Sequence, residues 1–285
     1  MTPAVLECVV NVSEGRDPAV VGAIAAAGAE FLLDVHRDPD HNRSVLTLAG
    51  PGTDLDGAVR AVARATLEHV DLRRHQGVHP RFGALDVVPF VPLGAGGSPA
   101  RPGDDLTPAL EARDRFAAWA GRELALPCFC YGPGRSLPEV RRGAFAALAP
   151  DTGPPAPHPS AGACAVGARS ALVAYNVWLG TNDVAVARAV AAAIRGPAVR
   201  ALGLEVGGVA QVSCNLVDPF AFGPAQAYDA VRRLAEEAGT GVARAELVGL
   251  APAAVVGSVP AARRSALDLD AERTVEARLS IIGSA

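Results

Sequence analysis

The apolar residues of the first half of the chain alternate between strand-like runs and runs with helical spacing. Short apolar runs bounded by turn residues are typical of strands, whereas apolar positions that recur every three or four residues indicate helices. The predicted strands are 5–12, 30–36, 42–50 and 83–93, and the predicted helices are 18–28 and 53–70. The resulting order, β-α-β-β-α-β, is that of the split βαβ unit of ferredoxin-like domains.

The same order of elements recurs in the second half. The predicted strands are 170–179, 199–206, 209–218 and 242–250, and the predicted helices are 181–196 and 224–238. Thr181 or Asn182 is the expected N-cap of the first helix, and the two glycines at 207–208 are typical of a tight hairpin. We therefore predict an α+β protein with two tandem ferredoxin-like (βαββαβ) subdomains, 1–166 and 167–285.

Residues 94–168 separate the two repeats and have the least regular pattern. A helix is predicted near 106–122 and a strand at 127–132, followed by a basic turn. The segment ends in a run rich in Pro and Gly at 149–168, a composition typical of a flexible linker. Prolines also stiffen a chain and glycines allow a ligand to approach the backbone closely, so a ligand-binding loop is the alternative.

The composition is that of a globular protein. Of 285 residues, 50% are hydrophobic and 20% are charged, and the length suits two modest domains. No apolar stretch reaches the roughly 18 residues of a membrane span, and the first residues lack the basic and apolar regions of a signal peptide. We predict a soluble, cytoplasmic protein.

Arginine supplies every basic side chain, since the sequence contains 26 Lys and Arg residues together and no Lys. Schiff-base chemistry through a lysine and a phosphate loop of the GxxxxGK[ST] type are therefore excluded. The net charge of −4, without a basic block, argues against a nucleic-acid-binding protein.

Neither the cysteines nor the histidines have the spacing of a metal site. The five cysteines lack any CxxC pair, which excludes zinc-ribbon and thioredoxin motifs and fits a reducing compartment. His75 and His79 have the spacing of a zinc-binding HExxH helix, but Gln76 replaces the glutamate, and Gly77 and Pro80 disfavour a helix. We expect no metal.

Two polar turns remain as candidates for chemistry. In one, His79, Pro80 and Arg81 directly precede a predicted strand, which suits an imidazole held against a cleft beside an anion-binding guanidinium. The other, 38–43, contains two Asp, one His, one Asn and one Arg. Asp and Asn are common in turns, which explains part of this second cluster without any function.

These turns belong to a set of segments that together resemble the formiminotransferase family. The segments are ECVVNVSEG (7–15), LLDVHRDPDHNRSV (32–45), HQGVHPRFGALDVVPF (75–90), GPPAPHPSAG (153–162), AQVSCNLVD (210–218) and AELVGL (245–250). This family forms the amino-terminal part of formiminotransferase-cyclodeaminase and also exists as a stand-alone glutamate formiminotransferase. The resemblance covers most of the chain.

The resemblance implies an activity and an architecture. The expected reaction transfers a formimino group from N-formimino-L-glutamate to N5 of tetrahydrofolate, in histidine degradation and one-carbon metabolism. The ligands would lie in a groove between the two subdomains, with tetrahydrofolate as co-substrate and no metal. The expected partners are these small molecules, not nucleic acid or a membrane. A homodimer is one expected assembly, and a separate cyclodeaminase would act downstream, since the chain ends where the transferase part does.

The resemblance also assigns individual residues. It places the catalytic histidine at His79, and His36 is a second titratable group that could orient it. The implied substrate- and folate-binding residues are Asn11, His41, Asn42, Arg43, Arg81, Gly153, Pro154, Pro155, Ala156, Pro157, His158, Pro159, Ser160, Ala161, Gly162 and Arg169. Ala161 stands where animal relatives have an aromatic residue, so one stacking partner for folate is expected to be missing.

The chemistry of the implied reaction suits these residue types. N5 must lose a proton while the departing glutamate amine gains one, and a histidine with a pKa of about 6.5 can do both in turn. Both substrates carry glutamate carboxylates, and in a chain without Lys the planar fork of Arg must bind them. Arg43, Arg81 and Arg169 are the expected clamps.

Two other functions remain open at this point. One is a related folate-dependent formyl or formimino transferase with a different amine substrate. The other is a non-catalytic homologue that binds folate, or RNA through a ferredoxin-like sheet. The low aromatic content of 5% and the negative charge argue against RNA.

Overall fold

Two β-sheets, each with most of its helices against one face, form two separate units. The computed structural model describes residues 4–78 and 81–282. Unit 1 comprises Met1–Ala100 and Asp104–Arg169, and unit 2 comprises Arg101–Gly103 and Ser170–Ala285. The α+β class and the two ferredoxin-like subdomains that the sequence predicts are confirmed.

Unit 1 is a ferredoxin-like fold whose sheet is extended by two strands. Its strands are β1 (Val5–Val12), β2 (Leu32–Asp38), β3 (Arg43–Pro51), β4 (Leu85–Leu93), β5 (Cys128–Tyr131) and β6 (Cys164–Ala168), and its helices are α1 (Pro18–Ala26), α2 (Gly52–His69), α3 (Thr107–Glu123) and α4 (Leu137–Gly143). The sheet order is β2-β3-β1-β4-β6-β5. The first four strands pair antiparallel, and β6 joins β4 and β5 in parallel.

Two elements of unit 1 correct the sequence analysis. The run at 149–168 is not a linker throughout, because its last five residues form β6, which is fully buried between β4 and β5. The expected basic turn contains α4, which begins with a capping box in which Ser136 and Glu139 satisfy each other's backbone N–H groups. Small residues in β6 hide its strand character, since alanine and glycine carry little β-propensity.

The larger apolar core of unit 1 lies on one face of the sheet, and a smaller cluster with α4 lies on the other. Leu6, Cys8, Val10 and Val12 alternate along β1 and pack with α1, α2 and α3. Burial of a leucine- or valine-sized side chain stabilises a fold by about 1.5–3 kcal/mol, so this alternation fixes which face of β1 meets the helices. The other residues of β1 therefore face the opposite side of the sheet.

Unit 2 repeats the ferredoxin-like order. Its strands are β7 (Val173–Leu179), β8 (Val199–Val206), β9 (Val209–Leu216) and β10 (Val242–Val248), and its helices are α5 (Val184–Ile194), α6 (Pro224–Glu237), α7 (Ala253–Gly257), α8 (Ala261–Arg264) and α9 (Val275–Ile282). The sheet order is β10-β7-β9-β8, antiparallel throughout. The predicted hairpin is confirmed, with Gly207 and Gly208 at φ 57° and 78°. The predicted N-cap is wrong, because Asp183 caps α5.

Apolar side chains from one face of the unit 2 sheet pack against its helices. Val173, Tyr175, Val177 and Leu179 of β7 belong to this core, and the Tyr175 hydroxyl donates to the Leu267 carbonyl oxygen at 2.8 Å. This bond ties the segment after β10, where no element is predicted from the sequence, to the centre of the sheet. Among the described residues, no helix has the length and apolar character that crossing a membrane requires.

The packing of α5 on β8 gives a stability prediction. A Cβ atom at Gly203 would lie 2.3 Å from the Arg188 backbone nitrogen and 2.4 Å from the Ala187 carbonyl carbon, so Gly203→Ala must push helix and strand apart. We expect it to reduce the free energy of unfolding by about 1–3 kcal/mol, measured by urea denaturation. Gly196→Ala is the control, since its Cβ would meet nothing within 4 Å. Equal stability of both variants would contradict the described packing.

Candidate active site

The sheet face of unit 1 opposite α1, α2 and α3 carries polar side chains in neighbouring register positions. Asn11 of β1 pairs with Val45 of β3, and Val45 pairs with His36 of β2. Directly paired residues of antiparallel strands share a face, so Asn11 and His36 lie on the same side. Glu7 and Thr47 also belong to this face, and both are buried. We call it the polar face of unit 1.

A carboxylate at the edge of this face binds two arginines. Asp86 is 1% exposed, and its Oδ2 lies 2.6 Å from Arg141 Nη2 and 3.5 Å from Arg43 Nη2. Its Oδ1 accepts from the backbone nitrogen of Phe82 and, at 3.3 Å, from that of Gly83. Arg43 also donates to the side-chain oxygen of Asn11. We call Arg43, Asp86 and Arg141 the arginine pair and its carboxylate.

Two guanidinium groups around a single carboxylate carry a net positive charge. Burial lowers the pKa of Arg43, Asp86 opposes that change, and Arg141 lowers the pKa further. Arginine nevertheless keeps its proton at neutral pH, because the ordinary pKa of a guanidinium group lies far above 7. The side chains of Arg43 and Arg141 are 17% and 26% exposed, so an anion can reach both. This cluster therefore suits a ligand carboxylate.

Arg169 adds a third positive group to this site through its contact with Tyr131 of β5. Burial raises the pKa of Tyr131 to about 12, while the charge of Arg169 and a hydrogen bond from it oppose this change. Tyr131 therefore stays neutral, and it also interacts electrostatically with Arg43. Gly167 makes room for the ring, since a Cβ there would lie 2.1 Å from Tyr131 Cζ. The chain thus brings two of the three predicted arginine clamps, Arg43 and Arg169, to one aromatic residue.

Asn42 joins three segments of the predicted site. It is 6% exposed and has the left-handed φ of 50°, which asparagine adopts more readily than most residues. Its side-chain oxygen accepts from the Gly15 backbone nitrogen at 2.9 Å, and its side-chain nitrogen donates to the Gln76 carbonyl oxygen at 2.8 Å. Asn42 therefore positions the loops after β1 and after α2 and acts through the backbone.

His75 and Arg81 bracket the histidine that the resemblance singles out. His75 Nε2 donates to the Asn42 carbonyl oxygen at 3.1 Å, and Arg81 donates to His75 Nδ1 and to the Gly77 carbonyl oxygen. Burial lowers the pKa of His75, and the charge of Arg81 lowers it further. His75 therefore remains neutral and holds this segment in place. His79 itself, the predicted catalytic residue, lies outside the described residues, as does Pro80.

The predicted folate loop, 153–162, closes on the same segment. His158 and Gly162 exchange backbone hydrogen bonds of 2.7 and 2.9 Å, and His158 Nδ1 accepts from the Ala161 nitrogen at 3.1 Å. The Ser160 carbonyl oxygen accepts from Leu72 at 2.8 Å, and that of Ala161 accepts from Ala84 at 2.9 Å. The loop is thus bonded to both sides of the segment that contains His75 and Arg81.

Only part of this loop is open to a ligand. Pro155, Ala156, Pro157 and Pro159 are exposed, whereas Ala161 is 0% exposed and belongs to the hydrophobic core. The Cβ of Ala161 faces the core, so a larger side chain at this position would overpack it. Ala161 could contact folate only through its backbone.

The remaining predicted residues separate into two groups. Asn11, His36 and Arg43 come together on the polar face, whereas His41 is 7% exposed and its Nδ1 lies 3.2 Å from Asp38 Oδ2 within the turn after β2. Sequence reasoning missed Asp86 and Arg141. The aspartate between apolar residues of a predicted central strand was a signal for Asp86, since an unpaired buried charge is costly. Arg141 offered no such signal.

No described part of the chain brings together three or more His, Cys, Asp or Glu side chains that could hold a metal ion. The site in residues 4–78 and 81–169 consists instead of arginines, one buried carboxylate, amides, a tyrosine and histidines on an α+β scaffold. Such a set binds and orients anionic organic molecules and can move protons. It defines a candidate site for transfer between small carboxylate-bearing substrates.

Comparison with known proteins identifies the family. Residues 5–169 match the formiminotransferase domain, N-terminal subdomain. The chain is 34% identical to the glutamate formimidoyltransferase of Streptococcus pyogenes serotype M1, over 86% of this chain and 88% of that protein. It is also 34% identical to the glutamate formimidoyltransferase of Thermoplasma acidophilum, over 87% and 88%. The chain belongs to the formiminotransferase family.

A bifunctional relative matches over a similar part of the chain. The formimidoyltransferase-cyclodeaminase of Sus scrofa is 36% identical over 86% of this chain but only 50% of its own length. This chain therefore spans about half of the bifunctional relative. The family resemblance drawn from the sequence segments is confirmed.

The neutral state of His75 gives a prediction for the pH dependence of stability. The unfolded chain binds a proton at His75 near pH 6.5, whereas the folded chain does so only at lower pH. The unfolded state therefore binds more protons in this window, and stability falls as the pH drops through about 6.5 toward the folded pKa. We expect His75→Gln to lose less stability than wild type between pH 7.5 and 5.5 in urea denaturation. His69→Gln, at an exposed histidine, is the control and should behave as wild type.

Proposed function

We propose that the protein transfers the formimino group of N-formimino-L-glutamate to N5 of tetrahydrofolate, giving 5-formiminotetrahydrofolate and glutamate. The structural support for this proposal is the cluster of Arg43, Asp86 and Arg141. Arg43 and Arg141 converge on Asp86 beside Asn11, and their side chains are partly exposed. Relatives named glutamate formimidoyltransferase that align over most of the chain support it independently.

The arginine pair would bind a glutamate carboxylate of one substrate. A guanidinium group offers two parallel N–H donors to a carboxylate, and such charge-assisted bonds are stronger than neutral ones. Asp86 fixes Arg43 and Arg141 before the substrate arrives, so less side-chain freedom is lost on binding. Arg169, hydrogen-bonded to Tyr131, is the proposed second clamp.

His79 is the proposed acid–base residue. Attack of N5 on the formimino carbon forms an N–C bond and gives a tetrahedral carbon that bears three nitrogens. The bond from that carbon to the glutamate nitrogen then breaks. The proton lost by N5 passes through the imidazole to the departing amine, so protons and bonds balance without another reactant. Asn42, His75 and Arg81 would position this histidine through the segment that they hold.

His36 and the loop at 153–162 complete the proposal. His36 shares the polar face with Asn11 and is half-buried, so it could orient a substrate amine. The exposed prolines at 155, 157 and 159 would contact the co-substrate tetrahydrofolate, with the buried end of the loop as their anchor. We place the reaction in the cytoplasm, with the formimino product passed to a cyclodeaminase.

The direct test is turnover of N-formimino-L-glutamate with tetrahydrofolate by the purified protein, followed by absorbance. We expect wild type to be active and His79→Ala to lose activity by at least about 100-fold, the scale of general acid–base catalysis. Circular dichroism should show an unchanged fold. A folded His79→Ala protein with wild-type turnover would disprove the catalytic assignment, and turnover only with formyl-glutamate or other amines would identify a different donor.

The carboxylate clamp gives a separate prediction. Arg141→Ala should raise KM for a glutamate-bearing substrate by about 10–150-fold, because a charge-assisted hydrogen bond contributes about 1.5–3 kcal/mol. Arg142→Ala is the matched control, since Arg142 is exposed on the same helix and should leave KM unchanged. Steady-state kinetics with each substrate varied in turn measures both. Equal KM values in the two variants would show that another group binds the carboxylate.

A further inference from the structure

We propose that the side-chain hydroxyl of Tyr131 donates a hydrogen bond to a carboxylate of N-formimino-L-glutamate and so selects the donor together with Arg43 and Arg169. The inference rests on the proposed function and adds to it a residue that touches one particular substrate. Tyr131 lies in unit 1, is 7% exposed and is the last residue of β5. It belongs to none of the sequence segments that carry the family resemblance.

The strand register places Tyr131 on the polar face of unit 1. Tyr131 pairs with Gly167 of β6. Ala165, two residues earlier on β6, pairs with Val87 of β4, and Val87 pairs with Asn11 of the polar face. Paired residues share a face of the sheet, and so do residues two apart on one strand. The side chain of Tyr131 therefore lies on the surface that carries Asn11.

A glycine directs the hydroxyl end of the ring across the sheet. A Cβ atom at Gly167 would lie 2.1 Å from Tyr131 Cζ and 2.4 and 2.6 Å from its two Cε atoms, so the ring rests on the bare backbone of β6. Because β6 lies between β5 and β4, the hydroxyl points from the edge of the sheet towards its centre. The phenol is thus held in place before a ligand arrives, which reduces the entropy lost on binding.

The hydrogen bonds of the hydroxyl leave its proton for a ligand. Arg169 donates to the Tyr131 oxygen, and within residues 4–78 and 81–282 that hydroxyl donates to no protein acceptor. Tyr175 of unit 2 differs, since its hydroxyl donates to the Leu267 carbonyl oxygen at 2.8 Å. A phenol has one proton to donate, and buried polar groups are nearly always hydrogen-bonded. The proton of Tyr131 therefore suits an acceptor that the described chain does not supply.

The charges around Tyr131 indicate that this acceptor is an anion. Arg169 bonds to its hydroxyl, and Arg43 interacts with it electrostatically. Burial raises the pKa of Tyr131 to about 12, so it remains a neutral donor near pH 7. Two guanidinium groups and a neutral O–H donor suit a carboxylate, and an O–H···O⁻ bond is about twice as strong as a bond between neutral groups.

The position of the arginine pair relative to the reacting group identifies the substrate. Asp86 binds Arg43 and accepts from the N–H group of Phe82. Phe82 follows His79, the proposed acid–base residue, by three positions in the sequence. In N-formimino-L-glutamate only the α-carbon separates a carboxylate from the nitrogen that leaves, whereas in tetrahydrofolate the glutamate lies beyond the aminobenzoyl ring, far from N5. A carboxylate bound beside the segment of His79 is therefore that of the donor.

The test is Tyr131→Phe, which removes the hydroxyl and keeps the ring on Gly167; Tyr131→Leu takes its place if that variant does not fold. We expect KM for N-formimino-L-glutamate to rise about ten-fold or more, because a hydrogen bond to a charged group is lost. The values of kcat and of KM for tetrahydrofolate should stay within about two-fold, since the lost contact binds ground state and transition state of one substrate alike.

Tyr175→Phe is the matched control, because it removes the hydroxyl of a buried tyrosine outside the proposed site. It should lower the melting temperature by about 2–6 °C, since the Leu267 carbonyl loses its donor, and leave both KM values unchanged. An equal rise of the two KM values in Tyr131→Phe would overturn the proposal.

A double variant separates direct contact from an effect through Arg169. In the background of Arg169→Gln, Tyr131→Phe should still raise KM for N-formimino-L-glutamate by about three-fold or more. No further rise there would show that Tyr131 acts only by holding Arg169, and the proposed contact would be wrong. If wild type does not turn over N-formimino-L-glutamate, the proposed function fails as well. An active wild type with an unchanged KM in Tyr131→Phe overturns only the present inference.

Discussion

The site in unit 1 depends on one buried carboxylate. The register of β1 with β4 shifts between Asn11, which pairs with Val87, and Val12, which pairs with Leu85, so Asp86 is the extra residue of a bulge. A bulge re-aims a side chain that regular alternation would direct elsewhere. Asp86 thereby reaches two arginines and two backbone N–H groups. Without these four donors, a carboxylate 1% exposed would be strongly unfavourable.

Asp86 also holds the surrounding segments of unit 1 in place through these contacts. The N–H groups of Phe82 and Gly83 fix the residues that enter β4, Arg43 belongs to β3, and Arg141 belongs to α4. Gly83 permits the close approach, since a Cβ there would lie 1.9 Å from the Ala163 carbonyl oxygen. A single acidic group thus orders elements that are far apart in sequence, and the arginines it positions remain charged at any physiological pH.

The sequence predicts most elements of the fold because burial on one face imposes a regular period. β1, the hairpin of β2 and β3, and the whole of unit 2 up to β10 follow from that period and from turn residues such as Gly207 and Gly208. β6 does not follow from the sequence, because its small residues show no alternation of apolar and polar positions. Their small size is required by close packing, as at Gly167 against Tyr131. Close packing depends on the partner strand, which a single sequence does not specify.

The site is less predictable than the fold for a related reason. Residues in turns, such as Asn42 and Arg81, are marked by the family resemblance. Arg141 becomes a candidate only through the carboxylate that it shares with Arg43. That contact depends on long-range geometry, since it joins α4 to a bulge of β4.

The two sheets therefore present different chemistry on the faces turned away from their helices. In unit 1 the arginine pair has more positive than negative charge and suits carboxylates, whereas in unit 2 the carboxylate of Glu246 is already bonded and the amide of Gln211 is neutral. A repeated fold can carry different chemistry on its two sheets because the alternation that builds each core leaves every second residue of each strand free to diverge.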